Sequence, residues 1–118
     1  MAEWLFDRYG SARLILDDDC VRDASGRVVG WIHSSGLFSL GGQHIGWSEK
    51  GVLYDVHNQA IGFTRDASGY LPGRRGTGGA PGFPGFGGRP GRPGLSGMSG
   101  RPGFGGWSDS PLDSYFES

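Results

Sequence analysis

Three histidines, one cysteine and a run of three aspartates are the groups in this 118-residue chain that could do chemistry. A metal needs several such ligands at one point, and a nucleophilic cysteine needs a base beside it. His33, His44 and His57 are not at metal-ligand spacings, and each takes a different position in the repeat described below. A fourfold metal site would put histidine in one position four times. Cys20 with His44 as its base is formally possible, but no nucleophile signature surrounds the cysteine, and a free thiol is the better reading. Asp17, Asp18 and Asp19 lack the glycine and distal glutamate of a calcium loop and read as a solvated connection. GTGGAPG from Gly76 has neither the strand nor the lysine of a phosphate loop. The expectation is a chain that is no enzyme and takes no cofactor or metal.

Arginine offers a different chemistry. Arg74, Arg75, Arg89, Arg92 and Arg101 are interleaved with Phe and Trp, and cations beside aromatic faces suit a single nucleic-acid strand. Five charges give salt-sensitive binding. The rest of the chain opposes it: residues 1–72 carry six Arg/Lys against nine Asp/Glu, residues 73–106 carry five Arg and no acid, and Asp109, Asp113 and Glu117 follow. The net charge of −1 hides this asymmetry.

The elements that must position these groups are repeats. Asp7, Asp23, Ser39 and Asp55 are sixteen residues apart, and three residues after each comes Gly10, Gly26, Gly42 or Asn58. Asp or Ser accepts backbone hydrogen bonds at the start of a type I turn, and Gly or Asn tolerates the left-handed conformation that closes it. Each copy is therefore a hairpin. Leu5, Val21, Leu37 and Leu53 stand two residues before the turns. After them, alternate positions read Arg13/Ile15, Val29/Trp31, Ile45/Trp47 and Ile61/Phe63, the period of a strand with one buried face. Trp31, Trp47 and Phe63 then form a shared core, with Arg13 at the seam or at an anion site. Gly30, Gly46 and Gly62 mark close backbone approach. One hairpin is barely stable alone, so four equal units most simply close into an all-β ring of pseudo-fourfold symmetry, which also hides the strand edges.

This register, with its Gly-Trp and Gly-Phe endings in copies two to four, resembles the bacterial domains called four-fold beta flower proteins, over roughly residues 4–68. The resemblance implies the fold and leaves function open. Copy one departs from the pattern at Leu14 and Ile15.

From Gly73 to Gly106 a glycine falls at every third position, twelve in one frame, and Pro81, Pro84, Pro90, Pro93 and Pro102 take the third place of their triplets. That is the period of polyproline II, and it gives the helix an all-glycine edge that another backbone can approach. The tail reads as ordered polyproline II packing within or between chains, including a collagen-like rod, or as a disordered Gly/Pro linker. Phe83, Phe86, Leu95, Met98, Phe104 and Trp107 would make it adhesive, as would Tyr115 and Phe116 in the acidic-aromatic tip.

Three segments follow: a four-hairpin domain over 1–70, a triplet tail over 71–106 and a tip over 107–118. Domain, spacer and acidic tip look like the layout of bacterial single-stranded DNA-binding proteins. The expected function is a non-enzymatic structural or protein-interaction module that self-associates or anchors in an assembly through its tail. The alternatives are a single-strand nucleic-acid accessory using the five arginines, and a small-ligand sensor with a pocket of His44, Arg13 and the aromatic row. The N-terminus has no Sec-type signal pattern and no apolar run spans a bilayer, so the expected location is cytoplasmic, with export by another route left open.

Overall fold

The computed structural model describes residues 2–68, 71, 76–98 and 100–116. Eight strands follow in order: β1 (Ala2–Phe6), β2 (Ala12–Asp17), β3 (Cys20–Arg22), β4 (Val28–His33), β5 (Gly36–Ser39), β6 (His44–Glu49), β7 (Val52–Asp55) and β8 (Ala60–Thr64). Each pairs antiparallel with the next, and β8 pairs back on β1, closing the barrel. The all-β fold of four closed hairpins is thus the observed one. Among the described residues no helix is long and apolar enough to cross a membrane.

The four turns share one construction. Asp7, Asp23 and Asp55 each accept two backbone N–H groups on Oδ1, at 2.9 to 3.0 Å, and Ser39 accepts one from Gln43 at 3.2 Å. The closing residues have φ of 85° at Gly10, 94° at Gly26, 92° at Gly42 and 58° at Asn58. This is the left-handed position that the glycine and asparagine preference anticipates.

Each hairpin also carries a β-bulge at the same place. Leu5 pairs with Leu14 but Phe6 with Ala12, Val21 with Gly30 but Arg22 with Val28, and the same slip recurs at Leu37/Phe38 and Leu53/Tyr54. The residues left over are Arg13, Val29, Ile45 and Ile61. A bulge adds one residue to one strand and so reverses the faces beyond it. Hence Val29 and Trp31 do not share a face, contrary to the uninterrupted alternation of the sequence.

This corrects the location of the aromatic row. The barrel interior is filled by Leu5, Val21, Leu37 and Leu53, all fully buried, in one cluster with Leu14 and Ile61. Trp31 packs outside, with Cys20, Val28 and Phe38, while Phe63 packs outside with Trp4, Phe6 and Ile15. Trp31, Trp47 and Phe63 are nonetheless only 2%, 3% and 0% exposed, so something covers the outer face. A ring of eight short strands has room inside for one aliphatic layer, and the large aromatics are left to the outer face.

At the far end, the connections also use positive φ: Ser34 has 49° and Ser35 66°, matching Lys50 at 50° and Gly51 at 85° one repeat later. Ser35 therefore takes a conformation that its repeat partner takes as glycine. Ser35→Gly is expected to stabilise the chain by about 1 kcal/mol, the order of the left-handed penalty for a side chain, read as a raised midpoint in thermal melts.

Candidate functional site

The outer face is covered by the tail. Gly78 N donates to Gly10 O at 2.8 Å, Gly87 N to Gly26 O at 3.2 Å, Ser96 N to Gly42 O at 2.9 Å and Gly105 N to Asn58 O at 3.2 Å. Each step of sixteen residues around the ring is met by nine residues of tail. Nine residues of polyproline II rise about 28 Å, so the three steps between these four contacts cover about 84 Å. A circle as wide as the molecule, 36 × 36 × 23 Å, has a perimeter of about 113 Å, and the three quarters of it between the first and fourth turns come to about 85 Å. An extended chain is the form that reaches.

The turn glycines therefore have two reasons to be glycine. Besides positive φ, a Cβ on Gly10, Gly26 or Gly42 would run into the carbonyl oxygen of Gly76, Gly85 or Gly94. Backbone next to the bulges is served too: His44 N donates to Ser96 Oγ at 2.9 Å and Ala60 N to Gly106 O at 2.7 Å. Such groups are left unpaired by the bulge and need partners when covered.

Side chains repeat the match. The outward residue before each turn is Phe6, Arg22, Phe38 or Tyr54. Phe86 lies under the Arg22 guanidinium at 4.5 Å, Leu95 packs on the Phe38 cluster, and Phe104 meets Tyr54 edge-on at 6.0 Å. Those three tail residues are themselves nine apart. Trp4 stacks on Phe83 at 5.6 Å and donates to Pro81 O at 2.9 Å, and Trp107 meets Phe63 at 6.2 Å.

Two ionic clasps fix the register. Arg22 is only 4% exposed, and its charge is met by Asp17 Oδ2 at 2.9 Å and by the carbonyls of Gly26 and Gly87 at 2.7 and 2.8 Å. A buried cation is tolerable only when satisfied in this way. Arg89 of the tail joins, pairing with Asp17 at 3.4 Å and with Asp19. The hydrogen bond from Arg22, and then the Arg89 and Arg22 charges, hold the Asp17 carboxyl below its ordinary value. The expected solvated connection is thus partly a tail anchor. Two repeats on, Arg101 donates to Glu49 Oε1 and Asn58 Oδ1, both at 2.8 Å, and lies 4.9 Å over Tyr54.

After its circuit the chain turns into the mouth of the barrel. Leu112 is 1% exposed in the central cluster, with Tyr115 and Phe116 packed beside it. The strand glycines make room: a Cβ on Gly62 would stand 2.7 Å from Leu112, one on Gly30 2.8 Å from Phe116, and one on Gly46 would collide with the Tyr54 carbonyl. The close approach expected at these three glycines is present. Tyr115 donates its hydroxyl to Ile45 O.

The other candidate groups lie apart. Arg13 is the bulge residue of hairpin one; it pairs with Asp7 at 3.1 Å and lines, with Arg8 and Ile61, the cleft where the first and fourth hairpins meet. His44 is wedged between the Phe38 and Trp47 rings, at 5.5 and 4.7 Å, and its buried Nε2 has no partner among the described residues. It does not meet Arg13 in one pocket. His33 and His57 are exposed, and Cys20 is fully buried, with burial pushing its thiol pKa up. A protonated buried thiol is a poor nucleophile. Arg92 is exposed, whereas Arg74 and Arg75 lie outside the described residues.

Trp4, Arg22, Asp17, Asp19 and Glu49 are tail contacts that the sequence reading does not find. A signal for them exists. Fifteen glycines lie in 73–106 and twelve fill the triplet frame; the surplus three are Gly78, Gly87 and Gly105, spaced by nine and eighteen. They are three of the four amides that reach the turns.

Two measurements test this geometry. Gly26→Ala should destabilise by about 1–2 kcal/mol from the left-handed penalty alone, and should loosen the second tail step, seen as faster proteolysis near Phe86. Tyr115 is pushed up to about 12, chiefly by burial, from the usual 10. A group with a raised folded pKa contributes stability that is whole below the unfolded value and is lost as pH rises towards the folded one. Phenolate absorbance should therefore show one tyrosine titrating near 12, absent in Tyr115→Phe, with the tip released between pH 10 and that value.

No curated protein and no solved structure matches the chain. The family model of the 4-fold beta flower protein matches residues 3–116. The match runs past the ring and includes the tail and most of the tip. On this span, and on the four bulged hairpins closed in sequence order, the chain belongs to the 4-fold beta flower protein family.

Proposed function

We propose that the chain is a non-enzymatic protein-interaction module that associates with copies of itself, or anchors in a larger assembly, through the outer edge of its tail. One observation carries this reading. The ring contacts recur every ninth residue, yet glycine recurs every third, and a Cβ built on Gly79, Gly82, Gly88, Gly91, Gly97 or Gly100 finds no atom of the described residues within 4 Å. The chain's own ring therefore gives no reason for those glycines. A glycine edge at polyproline II period is suited to another backbone lying close.

The residues flanking this edge support the same reading. Phe83, Phe86, Met98 and Phe104 remain 48%, 39%, 42% and 36% exposed although each touches the ring or a tail neighbour. Partly buried aromatics held rigid on a scaffold make good contact anchors, since little side-chain freedom is lost on docking. A single-strand nucleic-acid role draws less support, because Arg89 and Arg101 already pair with Asp17, Asp19 and Glu49.

Light scattering across a concentration series tests the proposal. The wild-type chain should associate as concentration rises. The triple variant Gly82→Ala, Gly91→Ala, Gly100→Ala should melt at the same temperature, since its new methyl groups meet open space, yet stay monomeric. A wild type that is monomeric throughout would falsify self-association and leave only anchoring to another protein, and a triple variant that associates equally well would remove the glycine edge as the contact.

A further inference from the structure

The mouth into which the tip turns has four related seats, one between each pair of successive hairpins. Each is bounded by a bulge residue and by two residues of the next turn: Arg13 with Asp23 and Ala24, Val29 with Ser39 and Leu40, Ile45 with Asp55 and Val56, and Ile61 with Asp7 and Arg8. The third of these is filled. Tyr115 lies there with its hydroxyl on Ile45 O, near Asp55 and Val56, and its ring meets Phe116 edge-on at 5.7 Å and 88°.

Among the described residues the second seat is open. It is a cleft of about 520 Å³ lined by Leu14, Val29, Ser39, Leu40, Gln43 and Phe116, among others. Sixteen residues earlier in the repeat, Val29 stands where Ile45 stands, Leu40 where Val56 stands and Ser39 where Asp55 stands. Phe116 is shared: it contacts Tyr115 on one side and forms a wall of this cleft on the other. The described residues thus display an occupied copy of the site beside an open one.

We propose that this cleft binds a phenolic ring, supplied by a 4-substituted phenol or by a tyrosine side chain. The ring body lies against Leu14, Leu40 and Phe116, which suits an aromatic that prefers edge or offset contact with its neighbour. The hydroxyl donates to the carbonyl of Val29, as Tyr115 donates to that of Ile45. Ser39 stands in the place of the Asp55 carboxylate, and the charged groups of this cleft are instead Asp23, Arg27 and Asp113 along its lining. At about 520 Å³ the cleft also has room for the substituent para to the hydroxyl. The inference concerns the mouth alone and stands apart from the association of the tail edge.

The test is a titration of the full-length ¹⁵N-labelled chain with N-acetyl-tyrosinamide, N-acetyl-phenylalaninamide and p-cresol. Saturable amide shifts are expected at Val29, Leu40 and Gln43. Loss of the hydroxyl should weaken binding about three- to tenfold, the size of one hydrogen bond. Leu40→Asp removes an apolar wall that is already 45% exposed, so the fold should persist, and affinity should fall about tenfold or more. Tighter binding of the tyrosine amide than of p-cresol assigns the ring to a protein side chain, and equal binding assigns it to a free phenol; both support the site. No saturable shift with any of the three probes overturns it, as does equal affinity with and without the hydroxyl, or unchanged binding in Leu40→Asp.

Discussion

The carbonyl at the closing residue of each hairpin turn is the contact on which ring and tail both depend. Gly10, Gly26, Gly42 and Asn58 take left-handed φ to close the turn, and the same four carbonyls accept the amides of Gly78, Gly87, Ser96 and Gly105. A carbonyl under a covering chain must be paired, because an unsatisfied buried polar group costs about 1–3 kcal/mol. The turn thus settles two things together: how the strands reverse, and where a second layer of backbone can lie. Absence of a side chain at three of these positions lets that layer approach closely.

The bulge is the second constraint, and it divides the apolar residues between two places. Without it, the aromatic row would share a face with Val29, Ile45 and Ile61. With it, those three stay at the mouth with Leu112, and Trp31 and Phe63 go to the outside. The outer face is then too apolar to be left bare, and the tail supplies the cover. Ring and tail are in this sense one structure: the ring's interior holds a single aliphatic layer, and much of its aromatic burial requires the belt. Arg22 shows the same dependence, since part of its charge is met by the Gly87 carbonyl.

Charge adds direction to a belt whose backbone contacts are alike at every step. Four similar steps could be taken in shifted register by hydrogen bonds alone. Arg89 against Asp17 and Asp19, and Arg101 against Glu49 and Asn58, tie particular triplets to particular hairpins. Exposed pairs of this kind add modest stability singly, and their use here is to choose one register among four. The acidic front segment and basic tail, seen in the sequence as opposed charge, meet within one molecule.

The sequence by itself determined the hairpins, their number, their turn residues and the closed ring, because these rest on local chemistry: a carboxylate that caps a turn, a glycine that accepts positive φ, a period of sixteen that repeats both. It also carried the tail's triplet frame, and the glycines of the strands as points of close approach. Only the tertiary structure decided which face the aromatics take, since a bulge shifts one residue without changing composition and inverts every assignment beyond it. Only the tertiary structure joined nine residues of tail to sixteen of ring, because that ratio is set by the rise of an extended chain against the perimeter of a closed barrel. The surplus glycines Gly78, Gly87 and Gly105 carried the trace of it, but their spacing has meaning only once there is a ring to go round.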